Sequence, residues 1–218
     1  MTRDIDDLIL RLSRDVQPVA PGGVQRRLAS FAAAGLVMSA ALMLLWLGLR
    51  PDLGRAVLGT MLWEKGAYTL ALAASGVLMT ESLARPDGRT PRVAVAIALV
   101  AFGSIGFHGL VQMVGAGDAG ARHLLLMGAS ARVCALYVFL ISAPMLVLLL
   151  AGMRTLAPTR LRLAGFAAGL GAGGVGAFVY SLHCPETAAP FVAIWYSLGV
   201  AATAGLGWLT GPIALRWR

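Results

Sequence analysis

The sequence predicts an all-α membrane protein: six transmembrane helices preceded by a short cytoplasmic N-terminal amphipathic helix. Three observations carry that expectation. Of the 218 residues, 58% are hydrophobic and only 13% charged, far outside the range of an ordinary soluble domain. Apolar runs of about 20 residues, the length of helix that crosses a hydrocarbon core of about 30 Å, recur along the chain. The 18 basic residues cluster in the short gaps between those runs, where lipid headgroups lie. No basic patch with interleaved aromatic residues suggests nucleic acid, so the net charge of +8 is assigned to the membrane surface.

The head, residues 1–27, begins "MTRDIDDLILRLSRDVQPVAPGG". Ile5, Leu8, Ile9 and Leu12 recur at helical spacing on one face, with Val16 and Val19 extending it, while Asp4, Asp6, Asp7, Arg11 and Arg14 occupy the rest. Pro18, Pro21, Gly22 and Gly23 break the helix before the membrane. These residues are too charged for a secretory signal, so the head is expected to be retained. A helix of about 14 residues is marginal alone in water and needs a surface to bind. Its aspartates argue against a membrane surface and favour a protein groove.

Residues 28–218 are then read as one membrane domain. Its spans are expected at about Leu28–Leu49, Gly66–Ala84, Val93–Val114, Val133–Met153, Leu163–Leu182 and Phe191–Leu215. The second is the weakest, because it carries Thr69, Ser75, Thr80 and Glu81. Pro144 lies inside the fourth and predicts a kink, and Pro212 marks the expected end of the sixth. With both termini inside, thirteen Lys and Arg residues fall on the cytoplasmic side and five on the other, which sets the orientation. Trp46, Trp63, Tyr68, Tyr137, Tyr180, Trp195 and Tyr196 fall near outer helix ends and read as interfacial anchors. Gly165, Gly169, Gly173 and Ala177, and again Gly199, Thr203, Gly207 and Gly211, recur every four residues and predict faces where helices pack closely.

The inventory for catalysis is thin. Glu81 with Arg85 four residues on reads as an interfacial ion pair, and His108 as a hydrogen-bonded packing residue. No run matches a P-loop, HExxH, GxSxG or CxxC motif, so no enzyme activity, catalytic residue or cofactor is expected. What remains is the pair of cysteines. Cys134 opens the fourth span and Cys184 follows the fifth, so both are placed at the outer surface although 50 residues apart in sequence. Two thiols at one depth can form a disulfide or, with His183 and His123, offer soft ligands to a thiophilic metal; they can also be two unrelated small apolar residues.

Four segments carry a resemblance: "LGLRPDL" (Leu47–Leu53), "CALYVFLISAPMLVLLL" (Cys134–Leu150), "YSLHCPE" (Tyr180–Glu186) and "FVAIWYSLG" (Phe191–Gly199). Together with the head they resemble the negative regulator of sigma-F family of six-span bacterial membrane anti-sigma factors. The resemblance implies a bacterial inner-membrane protein whose head holds an extracytoplasmic-function (ECF) sigma factor. It further implies that Cys134 and Cys184, with His183 beside them, sense a heavy-metal or oxidative stress and govern release. On that reading Ile5, Leu8, Ile9, Leu12 and Val16 bind the sigma factor. The partners are that factor and membrane lipid, with no direct nucleic-acid contact, and a second copy could add to a small head. The competing classes are a small transporter or channel using the glycine-lined faces, and a membrane thiol oxidoreductase.

Overall fold

The computed structural model describes Ile5, Asp7, Ile9, Leu10, Arg11, Ser13 and residues 22–216. Every regular element among them is helical. We label the longer helices α1 (Gly23–Trp46), α2 (Thr60–Leu83), α3 (Arg92–Gly115), α4 (Ala119–Met127), α5 (Ala131–Met153), α6 (Leu161–Ser181) and α7 (Ala189–Ala214). A single helical turn, Leu53–Ala56, follows α1.

Among the described residues, five stretches are long and apolar enough to cross a membrane: α1, α3, α4 with α5 taken together, α6 and α7. The expected second span is different. It lies in α2, which at 24 residues matches α1 and α3 in length but starts at Thr60 and takes Glu64, Lys65 and Glu81 into the helix. Starting the span at Gly66 had left Glu64 and Lys65 outside it.

Helix α6 is the centre of the bundle, with α7, α2 and α5 packed around it. Of its apolar window 72% is buried, against 22% for α1 and for α3. The glycine stripes explain how. Hydrophobic attraction does not bring helices together in lipid, so association relies on close van der Waals fit, which small residues permit. A methyl added at Gly165 would land on the Gly207 carbonyl, one at Gly169 on that of Thr203, and one at Gly211 on that of Leu161. The close packing expected of these stripes is therefore present, and the structure shows that the two striped faces meet each other. A second stripe on α6 escaped the sequence reading: Gly171 and Gly174 meet Gly76 and Ala73 of α2. Two faces of one helix are thus packed backbone to backbone.

Helix α1 lies chiefly against α5, with Gly35 seated on Met145. Helix α3 leans on α2 and on the start of α7 and leaves Leu99, Phe102, Phe107 and Leu110 exposed. Helix α5 runs unbroken through Pro144, and α7 ends at Ala214, two residues past Pro212 and within a residue of the expected end. The helix α4 was not anticipated. It is capped by Asp118, whose Oδ1 accepts from Ala121 N at 2.8 Å, and ends at Gly128 with φ 50°.

Buried residues form two clusters, one at each end of the bundle. Leu28, Met79, Leu83, Leu149 and Met153 mark the first; Met43, Tyr68, Cys134, Tyr180, Cys184 and Tyr196 mark the second. The latter is called the cysteine end below.

Candidate functional site

The cysteine end is assembled from the loops that follow α1 and α6 and the first turns of α2, α5 and α7. Cys134 sits in the first turn of α5, its N–H donating to Ser130 O at 2.9 Å; Cys184 lies just past α6, its N–H donating to Tyr180 O at 3.0 Å. Both are free thiols and both are fully buried. Residues 50 apart are thereby brought into one buried cluster, where the two thiols face each other closely enough to interact.

Two cations hold the Cys184 loop. Arg50 Nη1 and Lys65 Nζ each donate to the Cys184 carbonyl oxygen at 3.2 Å. Arg50 is in turn fixed by two hydrogen bonds to Asp52, at 2.7 and 2.8 Å, and its own N–H donates to Leu182 O at 3.2 Å. That fork holds the Asp52 carboxyl below the usual carboxylate range. His183 Nδ1–H donates to Gly48 O at 2.9 Å, where a φ of 72° turns the chain after α1. The loops after α1 and α6 are therefore laced together over the thiols.

Beneath them lie three rings expected at the membrane interface. Tyr68, Tyr180 and Tyr196 are 4%, 1% and 0% exposed, so they are core residues and not belts; of the rings expected at the outer ends, Trp46 and Trp63 are the exposed ones. The ring of Tyr180 lies 5.7 Å from that of Tyr196 and 6.1 Å from that of Tyr137, centroid to centroid. Tyr196 occupies a π-helical turn, Val192–Tyr196. The inserted residue aims Tyr196 inward while Trp195 Nε1 donates to Leu126 O of α4 at 2.8 Å.

Electrostatics separate the two thiols. The hydrogen bond from Cys134, and the Lys65 ammonium behind it, hold the Cys184 thiol below the ordinary thiol range against the opposing effect of burial. Chemically, the arrangement brings two thiols from different helices close enough to be joined or parted. Joining them would tie the start of α5 to the end of α6. No group of three or more His, Cys, Asp or Glu side chains that could hold a metal ion occurs among the described residues. His183, expected beside the pair, is engaged by Gly48 and stacks on Tyr180 at 5.8 Å.

Glu186 completes the loop. Its Oε1 accepts from Ala129 N, Ser130 N and Ser130 Oγ at 2.8, 3.1 and 3.0 Å, capping the approach to α5. His108 Nδ1 pairs with Glu64 Oε2 at 2.7 Å, and its Nε2 lies 3.1 Å from Gln112, whose Oε1 accepts from Ala189 N at 2.9 Å. The packing role expected for His108 is filled by that chain. Glu81 meets Arg85 at 3.8 Å as expected, and accepts from Gln25 at 2.6 Å.

The sequence reading found Cys134 and Cys184 but missed Arg50, Lys65, Tyr180, Tyr196 and Glu186. Lys65 gave no signal, because the span expected from Gly66 left it just outside, where a charged residue is ordinary. In the head, Ile5 and Ile9 are helical and more than half exposed, as is Leu10. Leu8, Leu12 and Val16 lie outside the described residues.

Residues 12–217 match the family described as negative regulator of sigma F. The anti-sigma-F factor of Caulobacter vibrioides is 44% identical over 212 residues, covering 97% of this chain and 99% of that protein. A probable anti-sigma-F factor of Azospira oryzae is 38% identical over 214 residues, covering 97% and 99%. No solved structure matches. Since the match spans both loops of the cysteine end as well as all seven helices, the chain belongs to the negative regulator of sigma F family.

Proposed function

We propose that the chain is a bacterial inner-membrane anti-sigma factor that holds an ECF sigma factor through its head, residues 1–27, and lets it go when stress acts on Cys134 and Cys184. The observation that carries this reading is the meeting of those cysteines in one buried cluster, at the end of α1 opposite its Gly23 end. The head precedes Gly23, so signal and grip belong to opposite ends of the bundle. The boundary drawn after residue 27 falls inside α1, which offers a continuous helix between them.

In this reading α2 is the sixth span. Its polar residues find partners inside the protein: Thr69 Oγ1 donates to Lys65 O at 2.8 Å, Thr80 Oγ1 to Gly76 O at 2.7 Å and Ser75 Oγ to Ala94 O at 2.7 Å. Six spans return both termini to one side. The basic residues put that side in the cytoplasm and the cysteine end outside. Apolar faces of α1 and α3 meet lipid. The head offers a small apolar face against the 20–30 residues that a standard interface uses on each side, so cytoplasmic loops or a second copy contribute.

Heavy metal or oxidant acting on the thiols changes the packing of α5 against α6, and the head's affinity follows. Such coupling requires that the signal bind or stabilise one packing over the other. A transporter reading is disfavoured by the glycine faces, which are closed against α7 and α2.

Co-purification tests the reading. Full-length protein should retain an ECF sigma factor co-expressed with it, and Leu8→Asp with Leu12→Asp should abolish retention while leaving the protein in the membrane. Normal retention by that variant would remove the head from the mechanism. Replacing both cysteines with serine should abolish induction by thiol-reactive stress; wild-type induction would make them structural.

A further inference from the structure

Lys65 is a cation without a matching anion. It is 1% exposed, one turn into α2, and its only hydrogen bond among the described residues is to the Cys184 carbonyl. Arg50, which shares that carbonyl, is neutralised by Asp52, but no carboxylate within the described residues pairs with Lys65. An isolated buried ammonium is costly enough that it either finds a counter-charge or loses its proton.

The groups facing it come from four elements. The loop after α1 supplies Arg50, already paired with Asp52; α5 supplies Cys134; α7 supplies Tyr196, whose ring lies 5.9 Å from Nζ. The loop after α6 supplies Cys184 and Glu186, and the Glu186 carboxylate is turned away to Ala129 and Ser130. The Cys184 sulfur remains. The Cys134 thiol shares its buried cluster, and the Tyr196 hydroxyl is buried there with no hydrogen-bond partner. Two groups able to donate and a positive field surround one sulfur.

We propose that Lys65 is the counter-ion of a Cys184 thiolate and so makes Cys184 the thiol that reacts first with a soft electrophile, with Cys134 as the second. Lys65 acts through Cys184 and is a positioning residue. A cavity of about 230 Å³ lined by Arg50, Asp52, Arg55, Gly59, Lys65 and Glu186 leads to the ammonium from outside the bundle. With a small disulfide as oxidant, the Cys184 sulfur attacks one of its sulfurs and expels the other as thiolate. The Cys134 sulfur then attacks the Cys184 sulfur and passes its proton to the departing half, leaving a Cys134–Cys184 disulfide and the oxidant reduced to one thiolate and one thiol. The inference rests on the cysteine-sensor reading but is read out separately from it.

The test uses full-length protein purified in detergent, with iodoacetamide alkylation followed against pH. The chain has two cysteines, so each single serine variant leaves one thiol. With Cys134→Ser, the remaining Cys184 should reach half its maximal rate at a pH lower by about one unit or more than Cys134 does in Cys184→Ser. Adding Lys65→Met should move the Cys184 profile up by about one unit, roughly tenfold in rate on its acid side, while Lys65→Arg keeps it within about threefold. Superposable profiles with lysine and methionine, or equal losses in the methionine and arginine variants, overturn the proposal. Should Lys65→Met fail to fold, the two single-cysteine proteins decide, because faster alkylation of Cys134 at low pH overturns it equally. Sigma retention is assayed by co-purification, so an unchanged thiol profile beside normal stress release would discard the role of Lys65 alone.

Discussion

The two ends of the bundle use charge in opposite ways. At the cysteine end Arg50 and Lys65 are drawn inside, to 7% and 1% exposure, and spend their hydrogen bonds on one loop carbonyl and one aspartate. At the other end Gln25, Arg27, Glu81, Arg85 and Arg154 stay at the surface, joined by contacts such as Gln25 to Glu81. The first pattern makes a rigid, solvent-shielded pocket around two thiols. The second leaves charge available to a partner. In the proposed reading one end is perturbed chemically and the other is touched by the partner.

Between them lies the glycine-packed contact of α6, and breaking it should abolish the contrast altogether. Gly169→Leu places a side chain where the Thr203 carbonyl and the Ala204 backbone already stand. Backbone cannot yield as a flexible side chain does, so the helices must separate. Overpacking of this kind costs about 3 kcal/mol, at the upper end of its usual range. Thermal unfolding in detergent should show a large loss with both ends affected together; a melting temperature within a degree or two of wild type would mean that α6 and α7 are not packed as described.

A smaller change should weaken the cysteine end alone. Glu186→Ala strips three donors, Ala129 N, Ser130 N and Ser130 Oγ, of their acceptor. Donors left partly buried and unpaired, added to a lost helix cap, cost about 2 kcal/mol. Because the same loop carries Cys184, alkylation of the thiols should also accelerate. Lower stability with unchanged thiol reactivity would separate the cap from the pocket.

How much of this was legible in the sequence follows from the same division. The meeting of Cys134 and Cys184 was legible, because counting apolar runs places residues at a depth without needing to know what they touch. The glycine stripe at Gly165, Gly169 and Gly173 was legible from its period of four. Gly171 and Gly174 were not, since a helix rich in small residues offers several stripes and only the fold says which are used. The burial of Lys65, Arg50 and the tyrosines was not legible, for a common reason. Near a span end, the same residue can anchor at the interface or turn inward, and the choice depends on neighbours from other helices. Tyr196 turns inward through the π-helical turn, which no periodicity announces. Helix α4 left signals, Asp118 before it and Gly128 after it, but nine residues in a loop carry too little periodicity to register.

The smallest effect is expected at the opposite end and sharpens the comparison most. Glu81 resembles Glu186 on paper, since each accepts from a side chain or backbone group far away in sequence. Yet its side chain is 33% exposed and that of Arg85 49%, and their 3.8 Å contact is a loose one. Exposed pairs of this kind contribute about 0.5 kcal/mol or less, because water and salt screen them and two long side chains must be held still. Glu81→Ala should therefore leave the melting temperature and thiol reactivity almost unchanged, and the residual loss should vanish when ionic strength is raised. If Glu81→Ala instead destabilised the protein as much as Glu186→Ala, the Gln25 hydrogen bond at 2.6 Å would be the cause, since it joins α1 to α2 at that end and does not depend on salt. Gln25→Ala would then reproduce the loss while Arg85→Ala would not, and the end described as open would have to be redrawn as a second locked one.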